Sequence, residues 1–296
     1  MDEIVRIETI DEYNKMMGVE TLNPFVSIID FSKCEKRYFQ RNSFGFYAIF
    51  LKDVVCGDMI YGKSTYDYQE GTLVFLAPNQ VIGIKDNGQK FQPKGFALVF
   101  HPELIRGTSL AKNMKDYTFF SYKVNEALHI SEQERKIVLD CLDKIKIELN
   151  HSIDKHSKTL ICNNIDLLLS YCLRFYDRQF ITRENVNKDL LSRFEDELDE
   201  YFNNNNAEKE GLPTVAYFAS KMNLSNNYFG DLIKKETGKT AQEHIQDKII
   251  DLAKEEILDK NKSISEIAYS LGFNYPGHFT RLFKNKVGVS PNEYRA

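Results

Sequence analysis

The sequence predicts an α+β chain: a small β-barrel or jelly roll, a helical hairpin, and then an all-α domain of two tandem helix-turn-helix units. Three observations predict it. Between about Phe25 and Phe100, short apolar and aromatic runs are separated by turn signals. Between Ser131 and Phe180, apolar residues return every four positions. The stretch Thr214 to Ile245 aligns with the stretch Ser263 to Arg295 after one inserted residue in the turn.

In the first segment the runs Phe44 to Phe50 and Leu73 to Leu76 read as strands, bounded by turns such as Cys56-Gly57-Asp58, Gln69-Glu70-Gly71, Ala77-Pro78-Asn79 and Asp86-Asn87-Gly88. Short strands at regular spacing suit a barrel or jelly roll. Alternation puts Phe44, Phe46, Ala48 and Phe50 on one face. The aromatic content, with Phe46, Tyr61 and Phe75 prominent, suits an apolar pocket for a small effector, and it suits plain core equally well. His101, at the end of the strand Phe96 to Phe100, either lines that pocket or is a strand-end histidine satisfied by backbone. All six histidines lie outside residues 1–100, so clustered ligands for a metal are not expected. No convergent acid/base pair marks an enzyme, and no cofactor is expected.

Ser131 and Glu134 form a capping box that opens the first hairpin helix. Ile137, Cys141, Ile145 and Leu149 step by four, as do Ile161, Ile165, Leu169 and Leu173. The hairpin, about residues 131–180, reads as packing either within the chain or against a second copy. Leu190 to Phe202 reads as a short amphipathic helix, and the polar run Asn203 to Gly211 as a linker or exposed loop. The expected organisation is a sensor segment at 1–182, a helix and linker at 183–212, and a helical domain at 213–296, with units at 214–245 and 263–295.

The second unit carries the clearest grammar. Ser263 with Glu266 is a capping box, Ile264, Ile267, Ala268 and Leu271 share one face, and Gly272 stands where a left-handed residue ends a helix. Phe273 plugs the turn. The next helix turns Phe279, Leu282 and Phe283 inward and Thr280, Arg281 and Lys284 outward. Gly288 ends it, and Ser290 with Glu293 opens another. In the first unit Asn223 stands in place of Gly272, Phe229 in place of Phe279, Gly238 in place of Gly288, and Thr240 with Glu243 in place of Ser290 with Glu293. A helix from about Ala241 to Asp259, roughly 28 Å long, joins the two units. One turn of duplex DNA is about 34 Å, so such a connector can set two helices into successive major grooves.

The run GFNYPGHFTRLFKNKVGVSPNEYR, Gly272 to Arg295, resembles the signature of AraC-type transcriptional regulators, and KKETGKTAQEHI, Lys234 to Ile245, resembles the same family's first unit. The likeness covers about the last 85 residues. It implies a DNA-binding transcription regulator whose N-terminal half is often a cupin-like barrel, and Gly71 and Pro78 stand where such barrels carry Gly and Pro. It also implies that the hairpin dimerises. Partners would then be double-stranded DNA, a second copy of the chain, a small-molecule effector, and RNA polymerase if the protein activates. An N-terminal half that only dimerises or binds a protein is the alternative, and a metal-free cupin enzyme is the least favoured reading.

Residues at the start of each second helix reach base edges in this motif. Here those are Ser225, Asn226, Asn227 and Gly230, and Tyr275, Gly277, Thr280 and Arg281. Arg281 suits a bidentate grip on guanine or a phosphate contact, and the asparagines suit adenine or helix capping. Lys234, Lys235, Lys239, Lys284 and Lys286 suit phosphates, and equally suit compensation of helix dipoles. The sequence departs from the family at Asp231 and at Pro276-Gly277, which weakens a direct transfer of contact roles.

Net charge for the chain is −4. From Leu212 onward twelve basic residues less ten acidic ones leave +2, so binding must depend on where the lysines and arginines sit. Five cysteines without a CxxC spacing read as reduced, mostly buried thiols, and the acidic N-terminus lacks a secretory apolar core. Both fit a cytoplasmic protein. No apolar run is long enough to span a membrane.

Overall fold

In the computed structural model the described residues are 4–36, 38, 41–52, 71–82, 90, 94–122, 126–182 and 184–295. The chain divides into two compact units, Met1–Thr182 and Arg183–Ala296.

The first unit begins with β1 (Ile4–Ile7) and the helix α1 (Ile10–Met17), whose start is fixed by a capping box between Thr9 and Glu12. Strands β2 (Val26–Asp30), β3 (Arg41–Phe44), β4 (Tyr47–Lys52), β5 (Thr72–Leu76), β6 (Val81–Ile82), β7 (Gly95–Phe100) and β8 (Leu128–His129) follow. They form two sheets, β1-β3-β6 and β2-β7-β4-β5-β8. β1 pairs with β3 in parallel, and the remaining pairs are antiparallel. Among the described residues the strands make two open sheets and not the closed barrel expected from the sequence.

The run Phe44 to Phe50, expected as one strand, is two. The chain leaves one sheet at Phe44 and enters the other at Tyr47, turning at Gly45. Gly45 is wedged against β1: its amide donates to the Ile7 carbonyl at 2.9 Å, and a Cβ there would lie 2.9 Å from the Glu8 carbonyl oxygen. The alternation survives the break, because Phe44, Phe46, Ala48 and Phe50 all enter one core between the sheets, with Ile10 and Tyr13 of α1. Val74, Leu76, Ala97 and Val99 complete it. The intervening residues of the five-stranded sheet face the other way. There Phe75 meets Phe119, Phe120 and Tyr176, with centroids at 4.5, 5.6 and 6.1 Å.

Short helices α2 (Pro102–Ile105) and α3 (Ser109–Asn113) lead to the hairpin of α4 (Glu132–Asn150) and α5 (Ser157–Thr182). The Ser131–Glu134 capping box forms in both directions. Cys141 and Ile145 are buried as the four-residue step requires, and so are Ile161, Ile165 and Leu169. Leu173 is not; it is 39% exposed. A step of four advances 40° around a helix of 3.6 residues per turn, so the seam drifts and passes to Cys172, Phe175 and Tyr176. Tyr117 ties the hairpin to the preceding loop, its hydroxyl donating to Asp166 Oδ1 at 2.7 Å. Burial pushes the Tyr117 phenol up to about 12. Burial likewise raises the thiols of Cys141, Cys162 and Cys172, which are free and buried.

The second unit is helical: α6 (Glu184–Asn203), α7 (Asn206–Glu210), α8 (Val215–Lys221), α9 (Asn226–Thr237), α10 (Ala241–Ile257), α11 (Ile264–Ser270), α12 (Pro276–Val287) and α13 (Pro291–Arg295). The segment expected as a helix and linker is integral to this unit. Phe194 of α6 is fully buried against Phe218 and Phe229 at 5.1 and 5.2 Å. The polar run after it is the helix α7, with Ala207 buried. No helix among the described residues is long and apolar enough to cross a membrane.

Candidate nucleic-acid interface

Two local devices build the paired helices. In the first unit α8 ends with Asn223 at φ +60°, and the Leu224 amide donates to the Ala219 carbonyl at 2.9 Å. In the second, α11 ends with Gly272 at φ +91°, and the Phe273 amide donates to the Ala268 carbonyl at 2.9 Å. These are the same left-handed turn, reached with the two residue types that tolerate it. Gly272 has a second constraint. A Cβ there would lie 2.8 Å from the Gly211 carbonyl carbon and 2.9 Å from the Ala207 carbonyl oxygen, so the end of α7 packs directly on the second turn.

The recognition helices are then α9 and α12. Both end in left-handed glycines, Gly238 at φ +74° and Gly288 at φ +93°. Their inward faces are closed by Phe229, Leu232 and Ile233 in α9 and by Phe279 and Phe283 in α12. The connector α10 opens with the Thr240–Glu243 capping box and buries Ile245, Ile249, Ile250, Ala253 and Ile257. Its C-terminus is capped from afar: Arg295 Nε donates to the Ile257 carbonyl at 2.8 Å. Arg295, part of the signature run, therefore neutralises a helix end.

The expected base readers fall into distinct environments. Ser225 is buried, and its hydroxyl accepts from the Tyr228 amide as the α9 N-cap. Asn226 and Asn227 are exposed on the first turn, and Gly230 follows one turn on, partly exposed. On α12, Tyr275 is 67% exposed and stands edge-on to His278, which sequence reasoning passed over, with ring centroids at 5.6 Å. Gly277 and Arg281 are exposed, and Thr280 is half-buried. Arg281 makes no ion pair among the described residues.

The five lysines divide. Lys234, Lys235 and Lys284 are exposed in the last turns of the recognition helices. Lys239 and Lys286 instead converge on one carboxylate. Lys239 Nζ lies 2.8 Å from Asp247 Oδ2, and Lys286 Nζ lies 2.8 Å from Asp247 Oδ1. Burial works to raise the Asp247 carboxyl, but the hydrogen bonds from the two lysines outweigh it and hold the group below the ordinary range. Of the five lysines expected to suit phosphates, these two already hold a carboxylate of the protein. Their partner, Asp247, lies on the connector, 8 residues from Lys239 and 39 from Lys286.

The residues named for an effector pocket are not brought together. Phe46 lies in the core between the sheets, whereas Phe75 faces the α5 side of the five-stranded sheet. His101 is the N-cap of α2, its Nδ1 accepting from the Glu103 amide at 3.2 Å, as the plainer reading has it. Tyr61 lies outside the described residues. No cluster of metal-ligating side chains occurs among the described residues.

Comparison with known proteins bears on the helical unit above all. Residues 218–296 match a family model described as a helix-turn-helix domain. The Transposon Tn10 TetD protein of Escherichia coli is 33% identical over 144 residues, which is 48% of this chain and 91% of that protein. The HTH-type transcriptional regulator YobQ of Bacillus subtilis is 22% identical over 252 residues, 83% of this chain and 95% of YobQ. Among solved structures, the C-terminal domain of the two-component response regulator yesN from Fusobacterium nucleatum is 26% identical, covering 33% of this chain and 97% of that one, with a TM-score of 0.28. Together with the paired turns and capped helices of residues 214–295, the sequence relatives establish that this chain belongs to the AraC-type transcriptional regulators and is a DNA-binding regulator with a further, N-terminal unit.

Proposed function

We propose that the chain is a one-component regulator that sets α9 and α12 into successive major grooves on one face of double-stranded DNA. Asn226, Asn227 and Gly230 would read one block of bases, and Tyr275, Gly277, Thr280 and Arg281 the other. One observation supports this most directly. Gly230 and Gly277 sit in helical positions where an added Cβ would meet nothing within 4 Å. Glycine in a helix interior costs about 1 kcal/mol of stability relative to alanine, and no neighbour among the described residues requires it. Close approach of a duplex does. The connector α10, with 17 residues, is roughly 26 Å long, a length suited to bridging one helical turn.

The test is selection of the full chain on pooled random duplexes. Each protomer is expected to enrich two blocks centred about 10 base pairs apart. A single block, or no enrichment at any salt, overturns tandem docking.

For the N-terminal unit the reading is a cupin-like fold that dimerises and senses an effector in the cytoplasm. The outer face of α5 exposes Leu160 and Leu167 at 43% and 41%, two turns apart on one stripe, which suits pairing with a second copy. RNA polymerase enters as a partner if the protein activates. The scatter of Phe46, Phe75 and His101 favours a second reading, in which this unit pairs without a small ligand. Thermal shift separates the two, because a ligand that binds only the folded state stabilises it by RT ln(1 + [L]/Kd).

A further inference from the structure

Asp247 holds an unusual position for an acid in a DNA-binding unit. It projects from the connector α10 and takes one lysine on each oxygen: Lys239, from the loop that closes the first helix-turn-helix, and Lys286, from the last turn of the second recognition helix. Both contacts are 2.8 Å, and the Asp247 and Lys286 side chains are only 35% and 29% exposed. Two cations from different units thus already have an oxyanion partner, in the geometry that a phosphate would otherwise supply. Each lysine would have to leave a fixed, partly desolvated carboxylate to meet the duplex, and a phosphate approaching the pair would meet the negative charge of Asp247 as well.

We propose that Asp247 is a positioning residue that keeps Lys239 and Lys286 off the DNA backbone and so restrains sequence-independent binding. Non-specific affinity comes essentially from phosphate contacts, whereas the residues proposed above to read bases on α9 and α12 do not include these lysines. Of the twelve cations from Leu212 onward, Lys221, Lys239, Lys248, Lys254, Lys262 and Lys286 are in ion pairs, and among these pairs Lys239 and Lys286 alone share one carboxylate, so the net charge of +2 overstates the cations free to meet phosphate. The proposal rests on DNA binding by this unit.

The experiment measures the salt dependence of binding of the full chain to a random duplex, from 50 to 200 mM salt. In the otherwise unaltered protein, replacing both lysines (K239Q with K286Q) is expected to leave the slope of log affinity against log salt unchanged, because neither lysine contacts phosphate while Asp247 is present. Asp247→Asn is expected to release both. Two added phosphate contacts steepen the slope by up to about 1.8, so the loss of affinity across that salt range grows about tenfold. Asp247→Glu, which keeps the carboxylate, is expected to keep the original slope. In the background lacking both lysines, Asp247→Asn is expected to change nothing. A double lysine variant whose slope falls by about 1.8 would show that the lysines already grip DNA, and would overturn the proposal without requiring Asp247→Asn to fold. A steepening by Asp247→Asn in the absence of both lysines would also overturn it, since net charge alone would then account for the effect. Unaltered protein that binds no duplex even at 50 mM salt would sink DNA binding itself; binding with the wrong slopes sinks only the role of Asp247.

Discussion

Replacing Phe194 with alanine separates a helix that merely precedes the DNA-binding unit from one that holds it together. Phe194 is fully buried, and its ring stands edge-on to Phe218 at 5.1 Å, Phe229 at 5.2 Å and His244 at 6.0 Å. Those partners come from both helices of the first helix-turn-helix and from the connector. Loss of a buried phenylalanine costs about 3–5 kcal/mol. The surrounding rings, on three different helices, cannot collapse together without moving α9, which places the effect toward the upper half of that range. A unit of this size has a total stability of roughly 5–15 kcal/mol, so a large share is lost. The assay is native-state amide exchange on the full chain, read at the buried turns of α9. At about 1.4 kcal/mol per tenfold, protection there is expected to fall by roughly three to three and a half orders of magnitude. Exchange in β4 and β7 of the first unit stays as it was, because Phe194 belongs to the second unit. Protection of α9 that falls by less than about tenfold would refute the reasoning, and would return α6 to the status of a linker.

Arg281→Ala is expected to relax the preference at one base position and to lower affinity for the enriched site by about tenfold to a hundredfold, the range of one bidentate contact; Lys284→Ala is expected to weaken all sequences alike and to reduce the salt slope by about one. Identical specificity profiles for the two variants would show that the roles are wrongly divided. Tyr117 supplies a prediction in pH. Its phenol is raised in the folded state to about 12, chiefly by burial, against about 10 in an unfolded chain. The folded form therefore holds its proton more tightly, so the contribution is complete below pH 10 and is lost as pH rises from 10 through 12. Tyr117→Phe should lower stability at neutral pH, by removing the 2.7 Å bond to Asp166, yet flatten that alkaline loss in a denaturation series. An unchanged alkaline slope would place the titration elsewhere.

Local grammar was legible because each signal is satisfied within a few residues. Thr240 with Glu243, Ser263 with Glu266 and Ser290 with Glu293 are capping boxes in the sequence, and all three close in the structure. Gly272, Asn223, Gly238 and Gly288 announce left-handed ends, and all four have φ between +60° and +93°. The two-residue alternation at Phe44, Phe46, Ala48 and Phe50 likewise marks one buried face. Tertiary structure decided what depends on distant partners. Alternation cannot reveal that the chain changes sheets at Gly45, because a residue keeps its face when the strand it belongs to changes neighbours. Nor can it tell which of two buried faces a phenylalanine enters, so Phe46 and Phe75 looked alike and were not. The α6 helix reads as amphipathic in isolation, and only the aromatic cavity left by Phe218 and Phe229 shows what its apolar stripe is for. Charge is the clearest case. Lys234 and Lys286 are indistinguishable in sequence, each a lysine near the end of a recognition helix. The fold brings Asp247 across 39 residues to within 2.8 Å of one of them, because a Coulomb interaction depends on separation in space and the sequence records only order along the chain.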